Sequence, residues 1–246
     1  MMDSNMAQGE WNQRVDLALA YRIAAHFGWN QTIYNHFAVR VPGPGSQFLV
    51  KRHAQLFDEV TASSLVKVDT QGDALGFGDD VNPAAFSIHS AVLDSRPDLN
   101  ASMHLHTVPG VAISAHPDGF KFISQESAFF FDRISYYEYG GIEENECEAI
   151  ARAFQASHHT MIMRSHGVVT TGHTIRAALF RMYYLLLCSE QQLLIESTGA
   201  KPLLLEPELC ARTLAQHERF VTESGFAAEW DGWRRMIDRV NPGYDQ

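Results

Sequence analysis

Apolar residues recur at helical spacing between Trp11 and Phe27, with Val15, Leu17, Leu19, Ile23 and Phe27 among them, and Gly28 closes the run. This pattern predicts an amphipathic helix. Short β-like pieces follow at Asn35-His-Phe-Ala-Val-Arg-Val41, Phe48-Leu-Val50 and Leu65-Val-Lys-Val-Asp69, punctuated by Pro42-Gly-Pro-Gly45 and Gly72. Pro83 opens a helix running to about Asp94, because proline suits the first helical turn, and a strand through Ala101-Ser-Met-His-Leu-His-Thr107 follows directly. A helix with an acidic start spans about Glu144 to Gln155. Then come a strand ending near His166, a short apolar Val168-Val169, and a long helix capped by Thr174 that runs to about Ser197. Lys201-Pro-Leu-Leu-Leu-Glu-Pro207 breaks it, and two more helices complete the chain. The early strands cluster around short turns, which favours a mixed or antiparallel sheet flanked by helices over a purely parallel one. With no repeat, low-complexity tract or linker, residues 1–246 are expected to form one α/β domain.

Histidines carry the candidate chemistry. In a strand, alternation would put His104 and His106 on one face, close enough for two imidazoles to hold one metal ion. His166, in Met161-Ile-Met-Arg-Ser-His-Gly167, is expected at a strand end, where α/β folds place their chemistry. Three imidazoles with an open position describe a catalytic metal site, for which Zn2+ is the first choice and Fe2+ or Mn2+ the alternatives. A lone His-x-His is more often structural, and the chain has 12 histidines, so the third ligand and the apolar setting give the group its weight. His158-His159 is a weaker pair, since neighbours on a strand face opposite ways. His26, His116, His173 and His217 read as surface or capping groups.

Composition narrows the partners. With 46% hydrophobic residues the chain can bury a full core. Its 29 acidic and 19 basic residues give a net charge of −10, against nucleic acid and anionic membranes as partners. The longest apolar stretches, such as Tyr183-Tyr-Leu-Leu-Leu-Cys188, are too short to span a bilayer, and the first residues lack a secretory pattern. Cys147, Cys188 and Cys210 suggest reduced thiols, and with them a cytoplasmic location.

Several ordered motifs resemble the class II aldolase/adducin family over about Val15 to Thr198. They are Asn35-His-Phe-Ala-Val-Arg-Val-Pro42, the segments Phe57–Asp69 and Val81–Ala91, Met103-His-Leu-His-Thr-Val-Pro-Gly-Val-Ala112, Ile123-Ser-Gln-Glu-Ser127 and Arg164-Ser-His-Gly-Val-Val-Thr-Thr-Gly172. The resemblance implies a three-layer α/β/α domain around a central, largely antiparallel sheet; the C-terminal helices expected over 199–246 fall largely outside it. It also implies a homotetramer with active sites at subunit interfaces, and zinc held by the equivalents of His104, His106 and His166.

The departures from the family's aldolases redirect the chemistry. Their acid/base glutamate falls at Ala85, which cannot transfer a proton. Their phosphate loops fall at Asn35-His36, His53-Ala54 and Pro83-Ala84, where methyl groups and a proline offer few donors, so a sugar phosphate is not expected. The adducin-like bacterial branch is the better match, although Lys51-Arg-His-Ala54 is unusual even there. The resulting expectation is a metal-dependent lyase of aldolase or decarboxylase type, acting on a small unphosphorylated oxo- or hydroxy-acid through a metal-stabilised enolate. The alternatives are a non-haem Fe(II) oxygenase on the same site and a non-catalytic adducin-like scaffold. Metal-bound water, Glu126, and one of Tyr136, Tyr137 and Tyr139 are candidates to move the proton, and Asn35, His36, His53 and Gln125 to line the substrate pocket. Lys51, Arg52 and His53 could bind a carboxylate or form a solvated charge run. Trp230 and Trp233 read as packing anchors, and Tyr244 as a group that could reach a neighbouring subunit.

Overall fold

The computed structural model describes residues 8–43, 46–69, 74–75, 81–138, 146–154 and 156–246, with backbone alone at 83–86, 146 and 222–224. Strand β4 (Ala101–Leu105) divides the interior by simple alternation. Ala101, Met103 and Leu105 enter one hydrophobic cluster. Ser102 and His104, both buried, alternate with them and face the opposite side. The neighbouring strands β1 (His36–Arg40), β6 (Thr160–Met163) and β7 (Gly167–Gly172) divide in the same way, with Phe37, Ile162 and Val168 on one side and Ala38, Met161 and Val169 on the other.

Three further strands, β2 (Phe48–Val50), β3 (Val66–Val68) and β5 (Ile134–Tyr137), complete a seven-stranded sheet in the order β3-β2-β1-β4-β7-β6-β5. Every pairing is antiparallel except β5 with β6. Helices α1 (Gln8–His26), α3 (Val108–Ser114), α5 (Ile175–Ser197) and α7 (Ala227–Val240) lie on one side. Helices α2 (Pro83–Ser95) and α4 (Glu146–Ala153) cover the other, and α6 (Pro207–Ser224) packs against a 3-10 turn at Ser127–Phe130. This is the expected three-layer arrangement around a largely antiparallel sheet.

Three boundaries differ from the pattern-based expectation. The His-x-His strand stops at Leu105, because Thr107 caps α3 by accepting a hydrogen bond from the Gly110 N–H at 3.2 Å. Val168-Val169 belong to a six-residue strand rather than a fragment. Strand β5 went unrecognised because four residues carry almost no period, and it owes its form to pairing with β6. Glu144 and Gln155 lie outside the described residues.

The C-terminal segment joins the same core as α1. Trp230, Ile237 and Tyr244 are buried there, and Trp233 packs against them, as anchors should. Arg22 of α1 donates to the carbonyl oxygens of Val60, Asn241 and Pro242. Tyr244 does not extend towards a neighbour: its hydroxyl donates to Asp238 Oδ1 at 2.9 Å within its own chain. No described helix is long and apolar enough to cross a membrane.

Buried imidazoles make the fold acid-sensitive. Burial pushes His159 well below the usual imidazole range and His89 down to about 3. Their folded values lie below the unfolded one, so the unfolded chain takes up more protons as pH falls. Stability is therefore full above the unfolded value near 6.5 and is lost towards pH 4. Urea titrations of chelator-treated protein between pH 7 and 4 should show it falling by ~1.4 kcal/mol per pH unit for each such histidine. His159→Phe should lower that slope, and a flat profile would contradict the account.

Candidate metal centre

Each of the three histidines reaches the site by a different local device. His104 lies mid-sheet, opposite His36 of β1 and Val169 of β7. His106 stands beyond the strand end, where its backbone N–H donates to the Asn35 side-chain oxygen at 3.0 Å. His166 occupies the tight β6–β7 connection, which Ser165 turns by adopting a left-handed φ of 56°. Gly167 then passes so close to β4 that a Cβ would stand 2.6 Å from the Leu105 carbonyl oxygen and 2.9 Å from His106 Cδ2. Only glycine fits there.

The result is a convergent triad. Ring centroids are separated by 4.6 Å (His104–His106), 4.9 Å (His104–His166) and 4.7 Å (His106–His166). One ligand nitrogen from each ring lies within 4.8 Å of the others. His104 Nδ1 is 3.2 Å from the Val168 carbonyl oxygen. A carbonyl only accepts, so Nδ1 carries the proton and Nε2 presents its lone pair to the centre. His104 Nε2 and His106 Nε2 lie 2.7 Å apart. Burial holds all three rings below the usual imidazole range, with nearby imidazoles adding to the effect at His104 and His166; His166 falls to about 4. At neutral pH the site therefore offers three neutral imidazoles, the form that ligates a metal. A small divalent ion suits this donor set, and nitrogen ligands favour zinc, iron or manganese over calcium or magnesium.

A polar shell supports the triad from the α2 side. His36 Nδ1 lies 2.8 Å from His89 Nε2, and His89 Nδ1 lies 3.0 Å from Ser102 Oγ. The His36 ring also stands 5.1 Å from that of His104. His89 and Ser102 were not singled out from the sequence. The available signal was a histidine in the apolar run of α2 opposite an inward-alternating serine of β4.

The pocket residues separate into two places. Asn35, His36 and His53 line one small pocket with Lys51 and Asn82. Asn35 is a clamp more than a contact surface: it accepts from His106 N–H, donates to the Trp29 carbonyl oxygen at 3.2 Å, and adopts φ 70°. Lys51 is not part of a solvated charge run. It is buried, and its ammonium donates to the carbonyl oxygens of Ile33, Arg52 and His53 at 2.8, 3.1 and 3.1 Å. Those bonds occupy all three N–H groups and leave none for a substrate carboxylate. Gln125 and Glu126 line a separate depression with Phe129 and Tyr184. Tyr137 is buried in the α2-side cluster, and the Tyr136 hydroxyl accepts from Phe120 N–H at 3.0 Å. Tyr139 lies outside the described residues. Of the expected surface histidines, His116 pairs with Glu196 at 2.8 Å, whereas His217 is stacked among aromatic rings, because its helix face turns inward.

Two substitutions test the scaffold. Gly167→Ala should destabilise the protein by ~1–3 kcal/mol through overpacking and should weaken zinc binding in a chelator competition. An alanine with wild-type affinity would show that the close approach is not required. Asn35→Gly should cost less in thermal melts than Asn35→Ala, because glycine restores the left-handed backbone and leaves only the lost hydrogen bonds. Equal losses would contradict the part assigned to φ.

Known proteins resemble this chain over nearly its full length. A protein of Caulobacter vibrioides named for the class 2 aldolases is 36% identical over 99% of this chain and 95% of its own. Alpha-adducin of Mus musculus is 38% identical over 81% of this chain, which spans 28% of that longer protein. Among solved structures, an aldolase II superfamily protein from Pseudomonas syringae superposes with a TM-score of 0.93 at 36% identity, covering 98% of both chains. L-fuculose 1-phosphate aldolase from Glaciozyma antarctica gives 0.84 at 27% identity, covering 97% of this chain and 94% of its own. The profile described as "Class II Aldolase and Adducin N-terminal domain" matches residues 15–193, so the chain belongs to the class II aldolase/adducin family.

Proposed function

We propose that the protein is a metal-dependent lyase of aldolase or decarboxylase type that acts on a small unphosphorylated oxo- or hydroxy-acid. The observation that carries this reading is the convergence of three neutral imidazoles, one with its tautomer fixed by the Val168 carbonyl. A divalent ion held by His104, His106 and His166 would supply Lewis acidity, polarising a carbonyl oxygen and stabilising negative charge as a bond to the adjacent carbon breaks. Asn35 holds the backbone of His106, and Gly167 admits His166 to the group, so the protein positions the ligands before substrate arrives.

Two features support an unphosphorylated substrate. Pro83 and Ala84 bring no side-chain donors, and the Lys51 ammonium is committed to three backbone carbonyls. A phosphate dianion requires several donors or cations. Ala85 leaves the proton to another group. Glu126 is the carboxylate we assign, and because it lies apart from the triad within its own chain it would act across a subunit boundary in a homotetramer.

The test joins metal content to proton exchange. Protein purified without chelators should carry near-stoichiometric zinc or manganese and should catalyse loss of the C3 proton signals of pyruvate or 2-oxobutyrate in D2O. His104→Ala should lose both. Stoichiometric iron would instead favour the oxygenase. A folded protein with no metal and no exchange would favour a scaffold, the reading that the likeness to alpha-adducin supports.

A further inference from the structure

Away from the triad, α5, α6 and the 3-10 turn at Ser127–Phe130 enclose a cleft of about 590 Å3. That volume falls within the ~300–1,000 Å3 typical of small-molecule sites. None of the three ligating histidines lines it. It sits at the other end of the β6–β7 hairpin, where Thr160 pairs with Thr170. Thr171, beside the cleft, is four residues from Gly167, or about 13 Å along an extended strand.

The walls are aromatic and the floor is charged. His217 stacks face to face on Phe129, with centroids 3.8 Å apart and planes 8° from parallel, and lies nearly parallel to Phe180 at 5.7 Å. Phe226 adopts φ 60°, rare for a bulky residue, and this brings its ring to 4.2 Å from Phe180. Arg181 lies among these rings and donates from Nη1 to the Thr171 carbonyl oxygen at 2.5 Å. Among the described residues no carboxylate stands at ion-pair distance from it, although the charge of nearby Glu218 favours its protonated form against the effect of burial. The acid that lines the cleft, Glu218, pairs with Arg133 at 2.8 Å. Burial, and after it the charge of Arg181, holds His159 and His217 below the usual imidazole range, so both are neutral at pH 7.

We propose that this cleft binds a planar aromatic carboxylate, its ring between the aromatic walls and its carboxylate on the Arg181 guanidinium. The charge selects one anionic group: a single guanidinium suits a monoanion, whereas a phosphate dianion would need a further cation. The rings supply apolar contact and offset stacking for the ligand body. An apolar protein side chain from a partner is the poorer occupant, because a dry interface would leave the guanidinium with no carboxylate at ion-pair distance.

The probe is 2-naphthoate, with neutral 2-naphthamide of the same shape as its control, titrated by calorimetry against the full chain. Naphthoate should bind at least tenfold more tightly than the amide. Arg181→Gln should remove that preference, Ala177→Phe should block both ligands by filling the cleft, and His104→Ala should leave naphthoate binding unchanged. Thermal melts identify any variant that fails to fold, and the comparison of the two ligands on the unmodified protein stands without variants. Equal affinity for acid and amide, no binding, or loss of binding in His104→Ala would overturn the proposal.

Discussion

The pairing of β4 with β7 is the constraint on which the rest depends. It sets His104 opposite Val169 and brings the Val168 carbonyl to the back of the His104 ring. A slip of one residue would turn His104 into the opposite cluster and Leu105 into the triad's place. The register is held from both sides, because the apolar residues of β4 all enter one core while Ser102 and His104 face the other way, and because β1 pairs along the same strand. Chemistry and packing thus share one set of backbone hydrogen bonds.

Much of this was legible in the sequence. The helix from Thr174 to Ser197 and the strand Phe48–Val50 follow from capping and composition alone. The triad was visible too, but for a partly mistaken reason. Strict alternation would carry His106 on within the strand, whereas the Thr107 cap ends the strand first and Asn35 holds His106 from across the sheet. Other features depend on tertiary contact and leave no local trace. The inward turn of His217 is set by α6 packing on the 3-10 turn, and the partners of Lys51 are carbonyls in two separate loops.

Behind His104 the polar interior is paired. His36, His89 and Ser102 lie behind His104 in hydrogen-bond contact with one another, which avoids the ~1–3 kcal/mol cost of leaving a buried polar group unsatisfied. Such a chain fixes ring orientation without adding charge, since burial keeps both imidazoles neutral. The same logic applies to Lys51, whose charge is solvated by backbone rather than by water. Family membership and these local devices agree: a class II aldolase/adducin fold brings three histidines together and holds them in place by packing and hydrogen bonds.

The sheet's two borders bear on how copies of the chain can meet. Strand β5 has only four residues, and Arg164 lies over the ring of its Tyr136 at 4.5 Å. At the other border, Ala74 bridges Val68 and the Leu75 N–H donates to the Lys67 carbonyl, so β3 is already partly paired. Among the described residues, neither border offers a long run of free backbone donors and acceptors, the template on which sheets extend from molecule to molecule and aggregate. Short or partly paired borders disfavour growth by strand addition and leave helices and loops, the surfaces that carry the clefts, as the better places for ordered assembly.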